Sequence, residues 1–451
     1  MSAPNVWEVA LQHIESPSLP QVCCGNVRRI RMTQAEKVRR RRFLQYLGLG
    51  GLGGAFGTEL FERLTPYGLQ KQYDEARQET GTLTRQLGES QQQIDTLTEK
   101  LKKTAFHDEI GVSDYHVAVG YNTFWNVYWE YSPAGRWKEQ GVTDHPILGE
   151  YNSSDQSIID YHLNWALRSG IRSLILEFGW IRPNSPFDIV ARESLLKSSL
   201  ISHMDFSVFY LYQWDYLEKM DQELFFDDFS FLANHYFNHP SCLRVDNRVM
   251  VSIANLPLYW NNLGVNGTNA LFRELKRRTT DEFGNDLFLV ADVWANSASS
   301  AGFFFDPSFL DNSELPFDAL TIWGNLWDSL GTNVATYGDY VTKYAGLWRR
   351  LSSMAKKHGL YFVPWINAGF DDKPVATYFG REHHYIARDP EWFSKFLEVA
   401  KEVTTPSLKM INLYTWNDFH EATDVEPTGE YGFTYLDMIR KAFVKNYVIE
   451  K

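Results

Sequence analysis

The chain has 451 residues, 44% hydrophobic and 22% charged, which is ample material for one large core. Its net charge of −12 argues against nucleic acid, whose phosphates demand a basic face, and against a strongly anionic polymer as substrate. The 15 Trp and 24 Tyr suit either a large core or a cleft that stacks on sugar rings. Cys23 and Cys24 are adjacent, and Cys242 stands alone in the body. No internal disulfide is available there and no C-x-x-C cluster exists, so neither a metal site nor a cofactor is called for.

Taken in chain order, residues 1–57 read as a leader. Arg39-Arg40-Arg41-Arg42-Phe43-Leu44-Gln45 precede a Gly-rich apolar run, Tyr46 to Phe56. This order resembles the bacterial twin-arginine export signal, and it points to a periplasmic or extracellular location. The other reading is a basic surface loop ahead of a buried helix. Met32 is the expected start. The apolar run is shorter than the ~20 residues of a comfortable membrane span, but no A-x-A cleavage site follows, so it can remain as an anchor. Residues 58–108 form a helical segment. Within it a heptad seam runs through Leu69, Tyr73, Ala76, Thr80, Leu83, Leu87, Ser90, Ile94, Leu97 and Leu101. It reads as a coiled coil that either makes a homo-oligomer or forms a stalk from the membrane; the plainer reading is a solitary helix packed on the next domain. Gly81 and Gly88 weaken it by roughly 1 kcal/mol each.

Residues 109–451 change to short β-rich runs separated by amphipathic stretches. Strands are expected at Tyr115–Gly120, Arg172–Phe178, Phe206–Tyr212, Arg248–Ala254, Asp286–Asp292, Ala319–Trp323, Leu360–Ile366 and Lys409–Thr415. Their cores are apolar on both faces, as a parallel sheet requires. Helices are expected between most of them, at Gln156–Ser169, Thr268–Phe283 and Tyr337–His358 among others, while Trp294 to Pro316 looks looped. Eight such units predict an α/β fold, a single (β/α)8 TIM barrel.

In a barrel of this kind chemistry sits at the C-terminal ends of the strands. Those ends carry Tyr121, Asn122 and Trp125; Glu177 and Trp180; Gln213 and Trp214; Asn255; Asp292 and Trp294; Trp323; Trp365, Asn367, Asp371 and Asp372; and Trp416, Asn417, Asp418, His420 and Glu421. Acids with Trp at almost every strand end describe a sugar cleft. Each Trp taken singly fits the core equally well. Glycosidic cleavage normally uses two carboxyl groups, and the loop after strand eight supplies four acids: Asp418, Glu421, Asp424 and Glu426. Crowded carboxylates raise one another's pKa, which makes a general acid. A solvated acidic loop or a calcium site is the competing reading.

Trp416-Asn-Asp-Phe-His-Glu-Ala-Thr-Asp-Val-Glu-Pro427 resembles the strand-eight signature of glycoside hydrolase family 99 and its WbsX-like relatives, Asn-Glu-Trp-x-Glu-Gly-Thr-x-x-Glu-Pro. Supporting pieces are Trp137 with His145-Pro146-Ile-Leu-Gly149, Tyr161-His162-x-x-Trp165 with Ser169-Gly170-Ile171, Tyr236-Phe-x-His-Pro240 with Val245-Asp-x-Arg248, and Gly369-Phe370-Asp371-Asp372-x-Pro374. The resemblance covers roughly residues 115–446. It implies a retaining, endo-acting glycosidase on α-mannosidic linkages of a polysaccharide. Carried over, Asp418 deprotonates the sugar's own 2-hydroxyl, which attacks the anomeric carbon, and Glu421 serves as general acid and then base. Tyr121, Trp125, His145, Glu177, Trp180, Trp214, Asp292, Trp294, Trp323, Trp365, Asp371, Asn417, His420 and Glu426 are the candidate substrate-binding residues. The chain departs from the signature at Asp418, where the family has Glu, at Phe419 for Trp and at Ala422 for Gly. The shorter Asp418 motivates two alternatives, a non-catalytic carbohydrate-binding barrel and an accessory protein of polysaccharide biosynthesis. An anchored scaffold clustered by the coiled coil, and a glycosyltransferase, are weaker readings.

Overall fold

The computed structural model describes residues 74, 76–88, 92, 109–128, 137, 141–179, 182–211, 221–293, 310, 315–323 and 336–449. The expected leader, most of the heptad segment and most of the expected loop 294–316 lie outside the described residues. Of the heptad segment, residues 76–88 are helical and exposed, with the seam residues Leu83 and Leu87 open to solvent. No described helix is long and apolar enough to cross a membrane.

The strands among the described residues are, in chain order, β1 (Glu109–Ser113), β2 (His116–Tyr121), β3 (Ile171–Phe178), β4 (Asp205–Tyr210), β5 (Arg244–Val245), β6 (Arg248–Ile253), β7 (Leu287–Asp292), β8 (Ala319–Thr321), β9 (Tyr361–Val363), β10 (Trp365–Asn367), β11 (Phe370–Asp371), β12 (Tyr385–Ile386), β13 (Met410–Tyr414) and β14 (Val444–Ile449). β2, β3, β4, β6, β7, β8 and β9 pair as successive parallel neighbours, and β13 pairs with both β10 and β2. β9 and β10 are two halves of one strand parted at Pro364. Proline has no N–H to give the ladder, although its carbonyl still accepts from Asn412 N at 2.9 Å. Counting those halves together, eight parallel strands close into a (β/α)8 barrel. The expected seventh strand, Leu360–Ile366, ran through that break without marking it.

All eight expected strands match to within two residues at each end, Ala319–Trp323 shortening to the three residues of β8. The reason they are legible is burial on both faces: every residue of β7 is buried, as are five of six in β6. Helices follow the strands. Gln156–Arg168 begins at Asp155, whose carboxylate accepts from Ser157 N. Tyr337–Lys357 starts with a capping box between Thr336 and Asp339. The helix expected at Thr268–Phe283 is the second half of a longer one, Leu256–Phe283, broken at Gly264, which takes φ 67°. β1 and β14 pair antiparallel and tie the two ends of the barrel domain together.

Asp292, expected to bind substrate, is spent on this framework instead. It is fully buried, and its two oxygens accept from Asn255 N and Trp323 N, both at 2.8 Å. One carboxylate therefore ties the ends of β6, β7 and β8 together, because buried backbone donors there must find acceptors.

Candidate active site

The loop after β13 is held from beneath by buried polar contacts. Trp416 N donates to Gly120 O at 2.6 Å. Asn417 is fully buried and makes a reciprocal pair with Asn122, its Oδ1 accepting from Asn122 N at 2.9 Å and its Nδ2 donating to Asn122 O at 3.0 Å. Trp125 Nε1 donates to Asn417 O at 2.7 Å. Glu426, further along the loop, is buried between Tyr151, whose hydroxyl donates to Oε2 at 2.9 Å, and His162, whose Nε2 lies 3.2 Å from Oε1. Tyr121 bonds the other imidazole nitrogen at 2.9 Å, and Asn417 Nδ2 reaches the Tyr151 hydroxyl at 3.2 Å. The Tyr151 hydroxyl satisfies one oxygen of this buried carboxylate, and the His162 imidazole stands beside the other at ion-pair distance.

A second buried anchor fixes Asp424. Arg388 meets Asp424 at 2.7 Å and Asp144 at 2.8 Å, donates to Asp424 O, and lies over the rings of Tyr431 and Tyr435 at 5.0 Å. Of the four acids in the loop, two are thus structural. Glu426 was expected to bind substrate; its side chain has no exposure, so it is a clamp.

The other two acids meet a third. Asp418 and Glu421 from the loop and Glu177 from the end of β3 interact electrostatically with one another, and Tyr414, the last residue of β13, joins them. Burial pushes Asp418 up to about 6, against the pull of the His420 and Glu421 N–H groups, which it accepts at 3.2 and 3.3 Å. Burial first, then the Asp418 charge, pushes Glu177 up to about 8. Glu421 rises well above the usual carboxylate range through burial and then Asp418, Asp372 and Glu177, with Arg381 opposing. The Tyr414 hydroxyl donates to Glu421 Oε2 at 3.4 Å. Two neighbouring carboxyls, both pushed upward, therefore stand side by side in the cluster, which is the pairing acid–base chemistry needs.

The remaining candidates divide. Trp323 and Trp365 meet the ring of Tyr414 at 5.5 and 6.4 Å and both pack on Phe209, forming a floor under the cluster. Trp125 was a stacking candidate, but it is fully buried, with its ring on Trp137 at 3.9 Å, so it is core. His420 is also core: it stacks on Phe124, and desolvation pushes its imidazole down to about 3. Tyr121 and Asn417 are consumed by the buried contacts beneath the loop and support it, rather than presenting a face to a ligand. His145 is exposed and pairs with Glu430 at 2.7 Å. Asp371 is half-buried and pairs with His383 at 2.7 Å, while its N–H donates to Glu421 O at 2.8 Å. Trp180, Trp214 and Trp294 lie outside the described residues. Sequence reasoning missed Tyr414, Arg388 and His162. Tyr414 had a signal, since alternation along β13 puts it on the same side as Asn412 and Met410. His162 stood in one of the motifs of the resemblance without a role assigned to it, and Arg388 had no signal of its own, because its partners are far away in sequence.

A family model described as glycosyltransferase WbsX matches residues 207–439. The chain belongs to the WbsX family. Among curated relatives of this WbsX chain, the mouse glycoprotein endo-α-1,2-mannosidase is 23% identical over 310 residues, covering 66% of the chain and 60% of the relative. The rat protein is 22% identical over 311 residues with the same coverage. The chain thus spans about 60% of the length of these relatives. Among solved structures, a glycoside hydrolase-like protein aligns with a TM-score of 0.56 at 19% identity, covering 74% of this chain and 95% of the other. The family 99 endo-α-mannosidase from Bacteroides thetaiotaomicron, in complex with bis-tris propane, aligns at 0.51 and 15%, covering 73% and 99%. The barrel is of the family 99 type.

Ala422 has φ 48°, a left-handed conformation that a side chain resists. Glycine at this position of the resembled signature is therefore explained by backbone geometry. Ala422→Gly is expected to stabilise the fold by about 1 kcal/mol, read as a rise in Tm of roughly 2 °C in thermal unfolding.

Proposed function

We propose that this protein is a retaining glycoside hydrolase that cleaves α-mannosidic linkages within a polysaccharide. The observation that carries the reading is the meeting of Asp418 and Glu421, on the loop after β13, with Glu177 at the end of β3, the Tyr414 hydroxyl donating to Glu421 Oε2 at 3.4 Å. The named relatives and the family 99 barrel supply the sugar and the linkage class.

In this reading Asp418 accepts the proton of the sugar's 2-hydroxyl as that oxygen attacks the anomeric carbon. The glycosidic bond breaks, and its oxygen takes the proton from Glu421. Glu421, now ionised, draws a proton from water as the water oxygen opens the strained ring, and Asp418 returns its proton to the 2-oxygen. Two inversions give net retention. Glu177, raised to about 8, is neutral at pH 7 and adds no second negative charge beside Asp418. The Arg39–Arg42 stretch and the heptad seam support an exported enzyme, anchored or clustered by its helical segment.

One observation favours a second reading, a barrel that binds glycan without cutting it. The carboxylate of Asp418 accepts the N–H groups of His420 and Glu421, so part of its capacity caps its own loop. It is also one methylene shorter than the Glu of the resembled signature, and misplacement of ~1 Å can cost a hundredfold in rate. Release of reducing ends from soluble α-mannan separates the two. Wild type is expected to cleave and Glu421→Gln to lose at least about a thousandfold in turnover while still binding the polymer. Binding without cleavage by wild type would leave the non-catalytic reading.

Asp418 also carries a cost in stability. An unfolded Asp titrates near ~4, and the folded one at about 6. Between those values the folded chain keeps a proton that the unfolded chain has lost, so stability falls as pH rises through the window and stays lower above it. Asn cannot ionise. Asp418→Asn is therefore expected to raise stability at pH 7 by about 1–3 kcal/mol in thermal or denaturant unfolding, while turnover is lost. A less stable variant would contradict the assignment.

A further inference from the structure

Tyr414 closes β13 and takes no step in the chemistry above. Alternation along the strand sets it on the same side as Asn412 and Met410, and the register places it beside Asn367 at the end of β10. Its buried ring lies edge-on to Trp323 at 5.5 Å and to Trp365 at 6.4 Å, with interplanar angles of 90° and 74°. Packed between two indoles, the phenol has little freedom to swing. Its hydroxyl donates to Glu421 Oε2 at 3.4 Å.

The main chain of Glu421 is tethered at both groups. Its carbonyl accepts from Asp371 N at 2.8 Å, and its N–H donates to Asp418 Oδ1 at 3.3 Å. Among the described residues, the Tyr414 hydroxyl alone hydrogen-bonds its carboxyl. The Arg381 charge also acts on Glu421, but the guanidinium pairs with Asp372. A protonated carboxyl has one hydroxyl oxygen and one carbonyl oxygen, and the carbonyl oxygen is the better acceptor. A donor on Oε2 therefore leaves the proton on Oε1. Burial, followed by the charges of Glu421, Glu177 and Asp418, holds the phenol well above its ordinary range, so it stays a neutral donor.

We propose that Tyr414 is a positioning residue for the general acid, confining the transferable proton of Glu421 to Oε1. The inference rests on the glycosidase reading and deepens it. As the glycosidic bond breaks, the proton passes from Oε1 to the leaving oxygen, and negative charge appears on the carboxylate. A hydrogen bond to an ionised acceptor is shorter and stronger than one to a neutral acceptor. The Tyr414 contact thus tightens as the proton leaves, which favours the transition state over bound substrate. When water opens the strained ring, its proton returns to Oε1 while the phenol still holds Oε2. Tyr414 itself neither gains nor loses a proton in either step.

The test is steady-state kinetics of the full chain carrying Tyr414→Phe, which keeps the ring and removes the donor. Two substrates are compared. Soluble α-mannan has a leaving alcohol that needs a proton, whereas a nitrophenyl α-manno-oligosaccharide has a phenolate that departs without one. On α-mannan kcat is expected to fall about 10- to 100-fold, with KM within about twofold and an unchanged melting temperature. On the nitrophenyl substrate kcat/KM is expected to stay within about threefold of wild type. An unchanged kcat on α-mannan overturns the assignment while leaving the glycosidase reading intact. Equal losses on both substrates, or a lower melting temperature, make Tyr414 a packing residue and also overturn it. Absence of cleavage by the wild type overturns the glycosidase reading and, with it, this role of Tyr414.

Discussion

Everything in the site hangs on one buried carboxylate, Glu426, and the two groups beside it. A carboxylate buried this deeply is costly without partners; the Tyr151 hydroxyl donates to one oxygen at 2.9 Å, and the His162 imidazole lies 3.2 Å from the other. Those partners come from different parts of the chain, His162 from the helix after the first barrel strand and Tyr151 from the loop before it. The demand to satisfy one charge therefore fixes the loop against two other elements. Asn417 is gripped by the same contacts through the Tyr151 hydroxyl, and Asp418 is its neighbour. Arg388 repeats the device on the far side of the loop by pairing Asp424 with Asp144. With both ends of the loop held, Asp418 and Glu421 face Glu177 without freedom to turn away into solvent.

That constraint has a thermodynamic cost, and part of it falls on the residues that do chemistry. Asp418, Glu177 and Glu421 are half-buried with carboxylates as near neighbours, and all three are pushed above the ordinary carboxylate range. Raised carboxyl pKa values lower stability at neutral pH. Asp424, paired with Arg388, is raised by burial as well, so an acid that holds the loop shares the cost. The same short loop thus contains acids that hold it and acids placed to react.

The barrel was readable from sequence because its strands are apolar on both faces, as in Val249–Ile253 and Leu287–Asp292. Pro364 splits the seventh strand, and only the pairing of its two halves with different neighbours shows that the halves close the barrel. The site was readable in type and less so in role. Asp418 and Asp424 look alike in sequence; they differ because Arg388 is brought to one of them from 36 residues away. Trp125 and His420 stand at strand ends, yet they turn inward and pack on Trp137 and Phe124. Position at a strand end fixes which loop a residue joins, whereas its burial depends on neighbours that arrive from elsewhere in the chain.

The central claim is that burial divides the carboxyls into an ionised base and a protonated acid. The most direct test is the pH dependence of kcat/KM for α-mannan cleavage. The account predicts a bell, with an acid limb at an apparent pKa near 6 as Asp418 ionises and an alkaline limb well above the carboxylate range as Glu421 loses its proton. An acid limb at the ordinary carboxylate value of ~4, with activity already falling by neutral pH, would contradict it.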